Sequence, residues 1–204
     1  MMSFDDLKLF LPKYLSPKSE EELFRELKQF PINIDSRIYQ HHTHNNSLIY
    51  QGDGLKEMLL VELPSMSTQK AAAIVLSNTC DIDSANTRYF QTRICYAPIL
   101  KLKKYEQALS IKIPEQKVQE HILAIKKQKI TQIFFLPKGS NLLEDSFVLF
   151  DRILNCPTKT IAPNSLKDKK IFTLSNYGLY LFLFKLSIHF TRVREGIDRS
   201  QPLQ

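Results

Sequence analysis

Residues Ser77-Asn78-Thr79-Cys80-Asp81-Ile82-Asp83 place hydroxyls, an amide, a thiol and two carboxylates in one short run behind an apolar stretch. Such a loop can do two things. Cys80 can act as a nucleophile, or Asp81 as a general base. A reactive thiol needs a base or a positive field beside it, and Arg88, Arg93 or a folded-in histidine could supply one. The same residue types also build turns. Asn78, Thr79, Asp81 and Asp83 can all hydrogen-bond to local backbone, and the sequence alone leaves both readings open.

Two other clusters invite chemistry. His41, His42 and His44 fall within four residues. Adjacent ligands on one polar loop cannot enclose an ion without thiolate or carboxylate help, and no second His/Cys cluster is near in sequence, so no metal is expected. His189 is followed by Arg192, Arg194, Glu195, Asp198 and Arg199. That run reads either as a solvated helix end or as a phosphate clamp.

The elements that must position these groups follow from periodicity. Residues 4–11 read as a short helix ended by Pro12. Ser19 and Glu22 form a capping-box pattern before Leu23, Phe24, Leu27 and Phe30, and Pro31 stops that helix. From Tyr50 to about Ile99, short apolar runs between turn residues read as strands. Pro114 to Ile130 reads as a helix with a Val118, Ile122, Ile125 stripe and lysines in its last turn. Strands return at Ile130–Leu136 and Phe147–Leu154. A last helix from Asn176 to Glu195, with Ser175 as N-cap, carries a Leu179, Phe182, Leu183, Leu186, Phe190, Val193 stripe. Tyr180, Phe184 and Ile188 widen its apolar surface, which predicts a subunit interface as well as a core contact. Lys185 and His189 interrupt the run, which is too short and polar for a membrane span.

Composition bounds the reading. The chain has 204 residues, 43% apolar and 24% charged, as expected of an ordinary globular protein. Only five glycines occur, with no phosphate-binding glycine motif, so no cofactor is expected. Cys80, Cys95 and Cys156 show no C-x-x-C spacing, which fits a reducing compartment. The N-terminus lacks a secretory pattern, so a cytoplasmic location is expected. The net charge of +7 is uneven: residues 1–64 carry 7 Lys/Arg against 10 Asp/Glu, whereas residues 65–204 carry 21 against 11. That asymmetry favours a polyanionic partner through phosphate attraction and counterion release.

Read in order, the middle of the chain has a recognisable succession. It contains Gln51-Gly52-Asp53, then Met58-Leu59-Leu60-Val61-Glu62-Leu63-Pro64, then Ala72-Ala73-Ile74-Val75-Leu76-Ser77. Ile94-Cys95-Tyr96-Ala97-Pro98-Ile99 follows, then Phe134-Phe135-Leu136-Pro137 and Asp145-Ser146-Phe147-Val148-Leu149-Phe150-Asp151-Arg152-Ile153. This succession resembles the MazF/PemK family of small β-barrel toxins. The resemblance implies an α+β fold: an SH3-like barrel of MazF/PemK type over residues 48–204, closed off by the C-terminal helix, with residues 1–47 as an added helical arm.

The resemblance also implies a function, namely binding of single-stranded RNA with metal-independent endoribonuclease activity, in a toxin–antitoxin or phage-defence setting. It implies a homodimer and an antitoxin or other protein partner. Carried over by position, Lys70 stands nearest the family's arginine and Asp151 matches its late-strand aspartate. Leu100 replaces the hydroxyl after the third strand, and Leu149 replaces a cation. Lys70, Asp151, Cys80 and Asp81 are therefore the candidate catalytic residues, and Arg88, Arg93, Lys101 and Arg152 the candidate RNA contacts. Two alternatives stand beside this reading: a catalytically degenerate barrel serving protein interaction or regulation, and an enzyme of another class using Cys80 as nucleophile.

Overall fold

A computed structural model describes residues 17–41, 48–83, 85–86, 88–161 and 166–191. The helix expected at 4–11, His42, His44 and the charged run from Arg192 to Arg199 lie outside the described residues. The fold is α+β. Helix α1 (Pro17–Lys28) and a 3₁₀ turn at Ser36–Ile38 precede β1 (Gly54–Glu62) and β2 (Ser67–Val75). Then come α2 (Thr79–Ile82), β3 (Arg93–Lys101), α3 (Leu102–Ser110), α4 (Glu115–Lys126), β4 (Ile133–Leu136), β5 (Ser146–Leu149) and β6 (Leu154–Pro157). A 3₁₀ turn at Thr158–Thr160, α5 (Leu166–Lys169), β7 (Lys170–Phe172) and α6 (Asn176–Thr191) complete the order.

The seven strands form one antiparallel sheet in the order β4-β5-β3-β2-β1-β7, with β6 also on β3. The expected strands Met58–Leu63 and Phe147–Ile153 therefore belong to one sheet. Closure into a barrel is not seen: among the described residues no pairing joins β4 to β7. The physical reason lies in the side chains. Alternate residues send both faces of the sheet into apolar cores, and helices cover those faces where a barrel would bend the sheet onto itself.

One face carries Ile74, Ala97, Phe134, Val148 and Phe172, packed by Leu23 of α1 and by Leu181 and Phe182 of α6. The opposite face is covered at the β4–β5 end by Val118, Ile122 and Ile125 of α4. At the β1–β2 end it is covered by Ile82, Ile161 and Leu166. Val118, Ile122 and Ile125 are the stripe expected for that helix, and all three are buried.

Helix α1 holds Ser19 inside its first turn, not at its cap, because the helix already includes Pro17. Proline suits a first turn, where its missing N–H would have no partner. The late strand expected as one piece is two. Val148 pairs with Ile99 and Leu154 with Tyr96, so residues 149–153 oppose only Ala97 and Pro98. Phe150 is buried by this bulge, leaving Asp151 and Arg152 on an exposed turn.

The buried face of α6 is rotated from the expected stripe. Tyr177, Gly178, Leu181, Phe182 and Lys185 are buried, while Phe190 is 60% exposed. Gly178 permits this, because a Cβ there would fall 2.1 Å from the Ile38 carbonyl oxygen. Lys185 is the helix's anchor. Its Nζ donates to the carbonyls of Gln128 and Ile130 at 2.9 Å, to Gln128 Oε1 at 2.9 Å, and to the Ile133 carbonyl. Gln128 in turn pairs through its amide with Phe135 N–H and C=O, at 3.0 and 2.8 Å, along the edge of β4. Burial pulls the Lys185 ammonium down to about 7, while the surrounding carbonyl oxygens favour its charged form.

The Gly52-Asp53 pair is structural. Asp53 is fully buried and accepts from Lys170 Nζ at 2.9 Å, Thr173 Oγ1 at 2.6 Å and Tyr50 N–H at 2.8 Å. It fastens the turn before β1 to β7. Every acceptor site that its carboxylate turns inward thus has a donor, the condition on which a buried charge is tolerated.

Candidate nucleic-acid interface

The loop after β2 folds by local hydrogen bonds. Asn78 caps α2, its Oδ1 accepting from Cys80 N–H at 2.9 Å. Asp83 Oδ1 accepts from Ala85 N–H at 2.9 Å. Thr79 Oγ1 accepts from Gln51 N–H at 3.0 Å, tying the loop to the turn before β1. These are the turn roles of Asn, Thr and Asp side chains.

Cys80 is exposed. Its carbonyl, not its thiol, makes the contacts: Asn86 Nδ2 donates to it at 2.6 Å and an Arg88 guanidinium nitrogen at 3.3 Å. The same Arg88 nitrogen donates to Asp81 Oδ1 at 2.9 Å. The structure therefore joins Cys80, Asp81 and Arg88, three of the candidate residues. No histidine hydrogen-bonds to the Cys80 thiol among the described residues, and Asp81 is engaged by an arginine. The Arg88 guanidinium thus supplies a positive field beside Cys80 and engages the Asp81 carboxylate at the same time.

Arg93 begins β3. Its Nε donates to Asn155 Oδ1 on β6. Asn155 carries no sequence signal of its own, because only the register that sets it opposite Cys95 brings it beside Arg93. Asn155 is neutral, so it orients the guanidinium fork without cancelling its charge. Lys101 ends the same strand and is paired with Glu144, and Lys126 is paired with Asp145 at 3.0 Å. Arg152 is exposed, its backbone N–H closing the bulge onto Leu149 at 3.2 Å. Of the four expected RNA contacts, Arg93 and Arg152 have no carboxylate partner among the described residues, while Arg88 and Lys101 do.

Lys70 lies exposed on β2, paired in register with the half-exposed Leu59. Asp151 lies in the β5–β6 bulge, on the other side of β3. At least two strand spacings, about 10 Å, separate their backbones across the sheet, and among the described residues no hydrogen bond or ion pair joins them.

A separate cleft of about 500 Å³ opens between α1 and the start of α6, lined by Glu22, Arg25, Glu26, Arg37, His41 and Ser175. Arg37 is tied to Asp35 at 2.9 Å and to Glu26 at 3.3 Å. The charges there compensate one another, so the cleft offers no net attraction to phosphate. Among the described residues no group of three or more His, Cys, Asp and Glu side chains could hold a metal ion. Among the described residues no helix is long and apolar enough to cross a membrane.

The chain matches no protein-family model, and no curated protein is significantly similar to it.

Proposed function

We propose that this protein binds single-stranded RNA at the end of the sheet where β3 and β6 meet. The observation that carries the reading is Arg93, exposed at the start of β3 and held by the neutral Asn155. A preoriented cation with no carboxylate partner among the described residues is what a backbone phosphate requires. Arg152 extends the same charge along the β5–β6 edge, and the excess of Lys and Arg after residue 64 draws the polyanion in.

The reading is of binding with little cleavage. An SH3-like barrel of MazF/PemK type, a toxin–antitoxin or phage-defence setting and a homodimer belong to the same proposal and rest on the resemblance in the strand motifs. The ribonuclease activity that the resemblance implies would ask Lys70 and Asp151 to flank one phosphate, yet β3 stands between them. Leu100 and Leu149 remove two more groups, and each missing transition-state group costs about 10²–10³ in rate. The test is incubation of the purified protein with mixed-sequence RNA, with and without chelator, beside Lys70→Ala and Asp151→Ala variants. Retention of RNA without new ends supports the reading. Rapid cutting that both substitutions abolish would make the protein a ribonuclease after all.

A specific observation favours one alternative, a protein-interaction module. The β1–β2 hairpin exposes Leu59 at 49%, Leu63 at 73% and Met66 at 68%, a stripe suited to an apolar partner. A protein that captures no RNA at low salt would move the assignment to that surface.

A further inference from the structure

We propose that Tyr89 and Phe90 form a stacking platform for unpaired bases, an inference that rests on the RNA-binding reading above and names the chemistry of its site. Tyr89 is the most exposed large side chain among the described residues, at 110% of its reference area, and the adjacent Phe90 is 72% exposed. Thirteen phenylalanines occur in the chain, and those of the sheet, such as Phe134, Phe147 and Phe172, are buried. Two neighbouring rings left in water need a partner with a flat apolar face.

The rings do not sit on a free tail. On one side Asn86 and Arg88 are both fastened to the Cys80 carbonyl. On the other, the Thr92 carbonyl accepts from Thr158 N–H at 3.0 Å and Arg93 is held by Asn155. The rings are thus held between two tethered ends, which lowers the ordering cost of binding. Arg88 is compensated by Asp81, whereas Arg93 is held by the neutral Asn155 and has no carboxylate partner among the described residues. Exposed Lys159 follows the residue that bonds Thr92.

Aromatic faces beside the cation of Arg93 match a single strand, whose bases offer π-faces and whose phosphates offer charge at each step. A duplex hides those faces within its stack. An apolar protein partner has no use for Arg93, and the hairpin stripe of Leu59, Leu63 and Met66 suits such a partner better.

The test measures anisotropy of a labelled ten-nucleotide RNA of mixed sequence against an abasic strand with the same phosphates. Tyr89→Ala and Phe90→Ala should each weaken binding of the intact RNA by roughly tenfold or more and leave abasic binding unchanged. Tyr89→Phe should restore it. Because the chain has no tryptophan, Phe90→Trp supplies a single reporter whose emission should be quenched by the intact strand and not by the abasic one. Wild-type binding of RNA with no loss in either alanine variant overturns the platform and leaves the RNA reading standing. Wild type that binds neither strand overturns both.

Discussion

The guanidinium of Arg88 lies 2.9 Å from the Asp81 carboxylate, bridging the short helix after β2 to the far side of its loop. Asp81 is 67% exposed, so the pair is a surface one, worth about 0.2–1 kcal/mol. Arg88→Ala should cost no more than that in chemical denaturation. Cys80→Ser, at an exposed position, should shift stability by less than about 0.5 kcal/mol and leave RNA binding intact. Loss of function on Cys80→Ser without loss of stability would revive the nucleophile.

Breaking the Asp53–Lys170 pair should be far more costly. Both side chains are almost wholly buried, so Lys170→Met strands a carboxylate away from water. Removing one partner of such a pair costs about 3–5 kcal/mol. Urea denaturation checks it, and a loss under about 1 kcal/mol would show that water reaches Asp53.

Lys185 predicts a pH dependence. Its folded-state pKa is lowered to about 7 from an ordinary 10.5. Between those values the unfolded chain binds more protons than the folded one, so this group makes stability rise as pH increases from about 7 toward 10. Lys185→Met should lose that slope. It should also be less stable near neutral pH, because the carbonyls of Gln128, Ile130 and Ile133 lose their donor, at about 1–3 kcal/mol for a buried group left unsatisfied. Thermal melts of both proteins from pH 7 to pH 10 make the comparison, and parallel curves would contradict it.

Helix α6 separates two roles. Leu183 packs against the core, and Leu183→Ala should destabilise by about 2 kcal/mol, the low end for a truncated leucine because the site is only partly buried. Phe184 is 44% exposed. If α6 also serves the proposed dimer, Phe184→Glu should give a folded monomer in sedimentation. Wild-type protein that is already monomeric at tens of micromolar would remove that interface.

Much of the fold was legible in the sequence because its period was unmixed. The Val118, Ile122, Ile125 stripe and the apolar runs of β1, β2 and β3 all fell where expected. Helix α3 was missed although Leu102, Tyr105 and Leu109 sit at helical spacing, because the apolar run of β3 leads directly into it. Strand β7 is three residues long and owes its pairing to β1, distant in sequence. The split of the late strand depends on register against β3, which no local pattern records. Lys185 was read as an interruption in an apolar helix, and its four oxygen partners come from a loop some fifty residues earlier. The candidate site behaved likewise. Arg93 was legible as a cation, but its neutral partner Asn155 was not. Lys70 and Asp151 were placed by analogy along the chain, and the sheet order sets them on opposite sides of β3.

The most direct test of RNA binding at the β3–β6 end is the salt dependence of affinity for a single-stranded RNA, wild type beside Arg93→Ala. For single strands, log affinity falls with log salt by about 0.7 per phosphate contact. The account predicts measurable binding at low salt, a steep fall as salt rises, and a slope shallower by about 0.7 in Arg93→Ala with its fold intact. Identical affinity and slope in the two proteins would contradict the site, and no binding at low salt would contradict the function.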